Sequence, residues 1–301
     1  MKFSNRISTA DLPEFPYPTP TSAEKILQNC ICKLFEEGIS SRLKSCNEVG
    51  KIDRAFRQLE KIASEAPDIS DTLTALLYIS WYQFGHVRLA EQIFHHLLKT
   101  IRIPNNCETL NIIDLGCGAL ATQIGFAKFV SSCPQQKFRK VHFHNIDKSE
   151  KMKQAGERLW NKWISSWESP MPFEFDFYGE KPNIDPLPEP TILIAMHAIY
   201  GRNRGVIREA IKEIKERHRP ITAVMTTNSN KKDLVDEIGR EYPSGERLEL
   251  ECPGTVNTKI ISQPRKDLLS KIKKLDCTEF TDRMNKFLDR YVPSWPKKPY
   301  V

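Results

Sequence analysis

The chain of 301 residues is 40% apolar and 28% charged, an ordinary soluble composition long enough to bury one large core or two smaller ones. It has no run of about 18 uninterrupted apolar residues, and Met1 to Thr21 is polar and proline-bearing, so neither a membrane span nor an export signal is expected; a cytoplasmic location is. The net charge of +7 suits an anionic partner without requiring one, because basic and acidic residues are interleaved nearly everywhere.

Residues 1–21 carry Pro13, Pro16, Pro18 and Pro20 and read as an extended arm. A helix is predicted from Thr21 or Ser22, with Ile26, Ile31, Leu34 and Phe35 at roughly helical intervals. The same spacing predicts helices over 52–63 (Ala55, Phe56, Leu59), 70–84 (Leu73, Leu76, Leu77) and 87–98 (Leu89, Ile93, Phe94, Leu97). The first hundred residues therefore read as all-helical.

After residue 105 the period changes. Strands are predicted over 110–115 and 140–146, and helices over 120–131 and 149–164. In the segment Pro172 to Tyr178, Phe173, Phe175 and Phe177 alternate with Glu174 and Asp176, the pattern of a half-buried strand. A loop with Pro182, Pro186, Pro188 and Pro190 leads to the apolar strand 191–197, a helix over 205–217 and a strand over 221–226. Alternation of this kind predicts an α/β fold, a doubly wound, mostly parallel sheet. The runs 247–252 and 256–262 flank Pro253-Gly254 with no room for a crossover helix, so they are predicted as an antiparallel terminal hairpin completing a seven-stranded sheet. The expected division is a helical cap or lid over 1–105, a Rossmann-like domain over 106–264, and terminal helices and tail over 265–301.

The eight cysteines, at 30, 32, 46, 107, 117, 133, 252 and 277, show no CxxC and no histidine-pair spacing. Buried reduced thiols are expected, and no metal site is assigned.

The chemistry concentrates at Asn111 to Gly125, where a strand, a turn at Gly116 and Gly118 and a helix start follow in series. Free backbone N–H groups and a helix N-terminus there suit a small polar ligand. Gly116-Cys-Gly118-Ala-Leu-Ala121 satisfies a loose dinucleotide pattern. Two features oppose that reading. Asp114 precedes the first glycine, where a carboxylate would repel a pyrophosphate. The next strand-end acid, Asp147, comes 31 residues after Gly116 (147 − 116), against the roughly 20 of the dinucleotide fingerprint.

Ile112-Ile-Asp-Leu-Gly-Cys-Gly118 resembles the first motif of class I S-adenosylmethionine-dependent methyltransferases. Asn145-Ile-Asp-Lys-Ser-Glu-Lys-Met152 is similar to their second motif, and Thr191 to Tyr200 to the fourth. The resemblance covers about residues 106–262. It implies S-adenosylmethionine as cofactor, with Asp114 orienting the methionine ammonium through the loop or water and Gly116 and Gly118 admitting the cofactor against backbone. It further implies that Asp147 holds the ribose hydroxyls and that Asp176 or Phe177 meets the adenine. Leu120 stands where the family has a third loop glycine, and the first two motifs lie about ten residues further apart than usual, with an extra loop near 131–140.

Methyl transfer from a sulfonium needs alignment of an acceptor lone pair, and a base only if the acceptor arrives protonated. His197, at the end of the fourth strand with Tyr200 nearby, is a candidate base or orienter; a histidine bonded to backbone explains it equally simply. Trp160, Trp163 and Trp167 share a helical face and either wall a pocket or pack on the sheet, the commoner use of such a stripe. Arg88 could meet the cofactor carboxylate and Tyr82 or His86 line the acceptor side, or all three serve a packed helix-turn-helix junction. The basic helix over 202–219 reads as a solvated face. The function expected is methyl transfer to a small-molecule acceptor rather than nucleic acid. The alternatives are a ribosomal-RNA-type methyltransferase and a non-catalytic cofactor-binding scaffold.

Overall fold

The computed structural model describes residues 22–65, 69–100, 107–133, 138–167, 171–181, 183–188, 190–196, 204–226, 268, 270–272 and 274–275. Helix α1 (Ser22–Gly38) forms where apolar residues recur every three or four positions, and it buries Leu27, Cys30, Ile31, Leu34 and Phe35. A 3-10 turn (Ser40–Arg42), α2 (Cys46–Glu65), α3 (Thr72–Tyr78) and α4 (Phe84–Thr100) follow. Asp71 starts α3 by accepting the Thr74 N–H at 2.8 Å. The junction expected around Trp81 to Arg88 is absent: α3 runs into α4 through a wide π turn, Ile79–Gln83. Nothing there breaks a helix, since a single interior glycine, Gly85, is tolerated. The extra residue in the turn keeps both flanking apolar faces inward: Ala75, Leu76 and Leu77 before it, Val87 and Leu89 after it.

The α/β part reads β1 (Cys107–Leu115), α5 (Ala121–Ser132), β2 (Phe138–Ile146), α6 (Glu150–Ile164), β3 (Phe173–Tyr178), β4 (Thr191–Met196), α7 (Arg204–His218) and β5 (Thr222–Thr226). Among the described residues these strands make a five-stranded sheet in the order β3-β2-β1-β4-β5, every pairing parallel. Its order reverses at β1, the doubly wound arrangement, and ligands of such sheets bind beyond the strand ends at that reversal. The predicted terminal hairpin lies outside the described residues, so the described sheet is five-stranded rather than seven-stranded.

Strand alternation sorts the core into two layers. Leu110, Ile112, Val141, Phe143, Ile192 and Ile194 face one cluster, which α1 to α6 complete. Ile113, Leu115, Ile146, Leu193 and Ala195 face the other, closed by Ile207, Ala210, Ile211 and Ile214 of α7. The helical region thus shares a core with the sheet. Gly125 of α5 lets α4 come close, for a Cβ there would meet Ala90 Cβ at 2.5 Å and the Val87 carbonyl oxygen at 2.7 Å. Leu268 and Ile272, both helical, join the same cluster, and Lys271 Nζ donates to the Ser40 carbonyl at 3.0 Å. The tryptophan stripe is packing: Trp160 meets Phe175 with ring centroids 4.9 Å apart, and Trp163 stacks on Trp167 at 4.5 Å.

The connection from β3 to β4 is irregular among its described residues, as its prolines predict. The α7-side face of β2 and β3 is left partly open there: Lys140, His142, Glu174 and Asp176 all keep solvent contact. Cys30, Cys32, Cys107, Cys117 and Cys133 are in no disulfide, whereas Cys46 is disulfide-bonded, contrary to the expectation of reduced thiols throughout.

Candidate functional site

The loop between β1 and α5 is built on left-handed backbone at Gly116 (φ 77°), Gly118 (φ 51°) and Leu120 (φ 62°). The first two positions suit glycine, which carries no steric penalty there. Leu120 occupies the third with a buried side chain, so burial offsets a left-handed cost of about 1–2 kcal/mol. The turn therefore closes without its third glycine: Leu120 N–H donates to the Cys117 carbonyl at 3.0 Å, and α5 begins with the Ile124 N–H donating to the Leu120 carbonyl at 3.2 Å.

The loop is fastened from three sides. Gly116 N–H extends the sheet ladder by donating to the Ile146 carbonyl at 2.7 Å. From below, Gly156 of α6 lies against Ala119, close enough that a Cβ would fall 2.7 Å from its carbonyl carbon. From the helical region, buried Gln83 of the π turn donates its amide to the Ala119 carbonyl at 2.6 Å.

Asp147 caps the end of β2. Its Oδ2 accepts the Gly118 N–H at 2.8 Å, and its Oδ1 accepts the Ser149 N–H at 2.7 Å. Burial raises its pKa, and these two hydrogen bonds oppose the rise by favouring the ionised carboxylate. Ser149 then caps α6, accepting the Met152 N–H at 3.2 Å and donating its hydroxyl to the Ile69 carbonyl at 2.5 Å.

Asp114 lies beneath the loop and is buried, and burial lifts its pKa from 3.8 to about 7. Gln123 donates to its Oδ2 at 2.9 Å; the same amide nitrogen donates to Asn145 Oδ1, and Asn145 pairs with Asp114 across β1 and β2. The nearby Thr122 hydroxyl also favours the carboxylate, whose Oδ1 has no hydrogen-bond partner. Cys117, fully buried between Asp114 and Asp147, has its pKa raised well above the thiol range by burial and by both carboxylates, so it stays protonated and is no nucleophile.

The structure brings Asp114, Gly116, Gly118 and Asp147 together. The other predicted residues stand elsewhere. Arg88 Nε donates to Glu24 Oε1 at 2.8 Å, inside a buried group in which Lys128 bridges Glu24 (3.4 Å) and Glu91 (2.5 Å). Phe177 packs into the helical-side core, and Asp176, on the opposite face, meets His142 Nε2 at 2.9 Å. Tyr82 stacks on His86, centroids 6.1 Å apart. His197 and Tyr200 lie outside the described residues.

Sequence reading missed Gln123, Asn145 and Gln83. A glutamine in the first turn of the helix after the loop was a usable signal for Gln123. Gln83 had none, since only the π turn aims it at Ala119. It also missed a group formed by His142, His144 and Asp176.

No protein-family model and no curated protein matches the chain. Solved structures do. A proposed class I S-adenosylmethionine-dependent methyltransferase from Listeria monocytogenes is 10% identical with a TM-score of 0.43, over 76% of this chain and 82% of that one. A phosphoethanolamine N-methyltransferase of Haemonchus contortus, in complex with phosphomonomethylethanolamine and S-adenosylhomocysteine, is 12% identical with a TM-score of 0.36, over 74% of this chain and 57% of that one. The small RNA methyltransferase HEN1 is 10% identical with a TM-score of 0.35, over 54% of this chain and 22% of that one. All three are methyltransferases by description. Among the described residues no helix is long and apolar enough to cross a membrane.

Proposed function

We propose that the chain is an S-adenosylmethionine-dependent methyltransferase that acts on a small-molecule acceptor. The observation that carries this reading is the pair of acids flanking the glycine loop, the buried Asp114 beneath it and the half-buried Asp147 at its lip. Two carboxylates make the loop a poor host for a phosphate and a good one for a nucleoside that bears an ammonium.

The donor set fits that cofactor. Asp114 Oδ1 is a buried acceptor with no partner, suited to a positive charge held across the loop. Each Asp147 oxygen takes one backbone N–H and retains a lone pair for a ribose hydroxyl. At Gly118 an added Cβ would touch Met152 Cε at 3.6 Å, an ordinary contact, so it is the left-handed backbone rather than lack of room that calls for glycine there. Of the two residues considered for the adenine, Phe177 suits the role; the Asp176 carboxylate is engaged with His142 on the other face. The Arg88 guanidinium is committed to Glu24, so the cofactor carboxylate falls to other groups.

When bound, the cofactor supplies an activated methyl, so the chain's own task is to align the acceptor and exclude water. His197 and Tyr200, following β4, would orient the acceptor or take its proton, and the helices before β1 would cover the site. Calorimetry with S-adenosylmethionine and S-adenosylhomocysteine tests the reading. Binding of both, with methyl incorporation into a metabolite extract, supports it. Binding without turnover leaves the cofactor-binding scaffold, incorporation into RNA replaces the acceptor class, and no binding of either ends the enzyme reading.

A further inference from the structure

The α7-side face of β2 and β3 holds a polar group beside the aliphatic residues Ile113, Leu115, Ile146, Leu193 and Ala195 of the same face. His142 and His144 project from β2 two positions apart, and Asp176 of β3 stands opposite His144 in the register. His142 Nε2 lies 2.9 Å and His144 Nδ1 3.8 Å from Asp176 Oδ2, and one ligand atom from each of the three residues lies within 4.8 Å of the others. Tetrahedral zinc bonds put adjacent ligand atoms about 3.4 Å apart, so the three atoms bracket that spacing.

The surroundings orient His144 for coordination. Asn111 donates its amide nitrogen to the Pro188 carbonyl at 3.0 Å, which leaves its Oδ1 as the acceptor facing His144 Nε2 at 3.4 Å. The proton of His144 therefore belongs on Nε2, which leaves Nδ1 as an acceptor 3.4 Å from the Tyr178 hydroxyl and 3.8 Å from Asp176 Oδ2. His142 Nε2 donates to Asp176 Oδ2 at 2.9 Å, so a metal there would displace that proton, and Glu174 Oε2 lies 3.8 Å from its Nδ1. A hydrogen-bonding group behind a ligand histidine, as Asn111 stands behind His144, is the usual support of a metal site. Asp176 and Glu174 supply two negative charges, offset in part by Lys140, which is 3.1 Å from Glu174. The irregular β3–β4 connection leaves the Asp176 side chain 51% exposed, so an ion has a path in and solvent can fill a fourth position.

We propose that His142, His144 and Asp176 bind one divalent transition-metal ion of the zinc type, on the sheet face away from α5 and α6. The site is independent of the cofactor loop. It selects against magnesium and calcium, which prefer all-oxygen ligands.

The test uses the full chain without a histidine tag, stripped by chelator and titrated with zinc chloride in a calorimeter. One equivalent should bind. His142→Asn and Asp176→Asn, both at positions with solvent contact, should each weaken binding at least tenfold while melting like the wild type without metal. Zinc should raise the Tm of the wild type and not of Asp176→Asn, cobalt should give the visible bands of a four-coordinate ion, and a large excess of magnesium should not compete. Wild-type protein that binds no zinc, or variants that bind it as tightly, would overturn the site and leave a hydrogen-bonded ladder of side chains.

Discussion

Gly118 donates its backbone N–H to Asp147 Oδ2 at 2.8 Å, so the acid that ends β2 also closes the loop that follows β1. On the proposed reading Asp147 has two tasks, to hold the loop and to meet the cofactor. Asp147→Ala should weaken S-adenosylmethionine binding by about 1–3 kcal/mol and also lower the Tm of the free protein, because the Gly118 and Ser149 N–H groups lose their acceptor. Calorimetry and a melting curve separate the two effects; a lowered Tm with unchanged affinity would leave Asp147 as a loop fastener only.

The second acid predicts a pH dependence. Asp114 has a folded pKa of about 7 against 3.8 unfolded, because burial outweighs the help of Gln123 and Thr122, and Asp147 adds to the rise. The folded state therefore holds an extra proton between those values. Its contribution to stability is complete below about pH 4 and is lost as pH rises through 7, up to ~4 kcal/mol in all. A bound cation would draw the proton off, so S-adenosylmethionine should bind more tightly as pH rises through 7 and release a proton below it. Calorimetry in two buffers of different ionisation enthalpy measures that release, and Asp114→Asn should abolish it. Binding without proton exchange in the wild type would remove Asp114 from the ammonium's surroundings.

Gly156→Ala reaches the loop without touching a ligand. The new Cβ would sit 2.8 Å from Ala119 Cα and 3.0 Å from its carbonyl oxygen, both backbone atoms that cannot swing aside. Forced contacts of this kind cost about 1–3 kcal/mol. A lower midpoint in urea together with weakened S-adenosylmethionine binding is expected; wild-type affinity would show that the loop can shift without consequence.

Leu120→Gly restores the residue that the left-handed position favours. It relieves about 1–2 kcal/mol of backbone cost, yet removes a fully buried side chain worth about 2–5 kcal/mol. Urea unfolding should show a net loss of stability with cofactor affinity retained. A more stable variant would mean that the Leu120 side chain contributes little to the core.

The buried charges between α1, α4 and α5 give the largest expected stability change. Glu24 faces Arg88 and Lys128 while being almost wholly buried, so Glu24→Gln takes from both cations the charge they share. A loss of about 3–5 kcal/mol is expected, whereas Glu108→Gln, from an exposed pair with Arg139, should stay within about 1 kcal/mol. Similar losses for the two would show that water screens the inner group.

Most of the architecture was legible because the patterns were strong and local. Phe173, Phe175 and Phe177 alternate with acids and form β3; the apolar run from Thr191 forms a fully buried β4; four prolines mark the irregular link between them. The loop acids were legible from their positions beside glycines. The metal-type group was not, because a His-x-His pair on one strand looks like ordinary alternation until β3 is laid beside it in register. The π turn left no trace either, since its residues are as apolar as those of a regular helix. Arg88 was misleading for a related reason: its partner Glu24 lies 64 residues earlier and meets it only through tertiary packing.

That π turn has a consequence for how the chain tolerates change in length. It holds one residue more than a regular helix would use between α3 and α4, and each helical residue advances the chain by about 100°. Deleting one residue within Ile79–Gln83 would let an unbroken α-helix form, yet it would turn α3 and everything before it by a quarter turn or more about the α4 axis. Gln83 would lose the Ala119 carbonyl, and the apolar stripes of α1 to α3 would swing off the sheet. A deletion that improves the helix locally would dismantle the layer it belongs to.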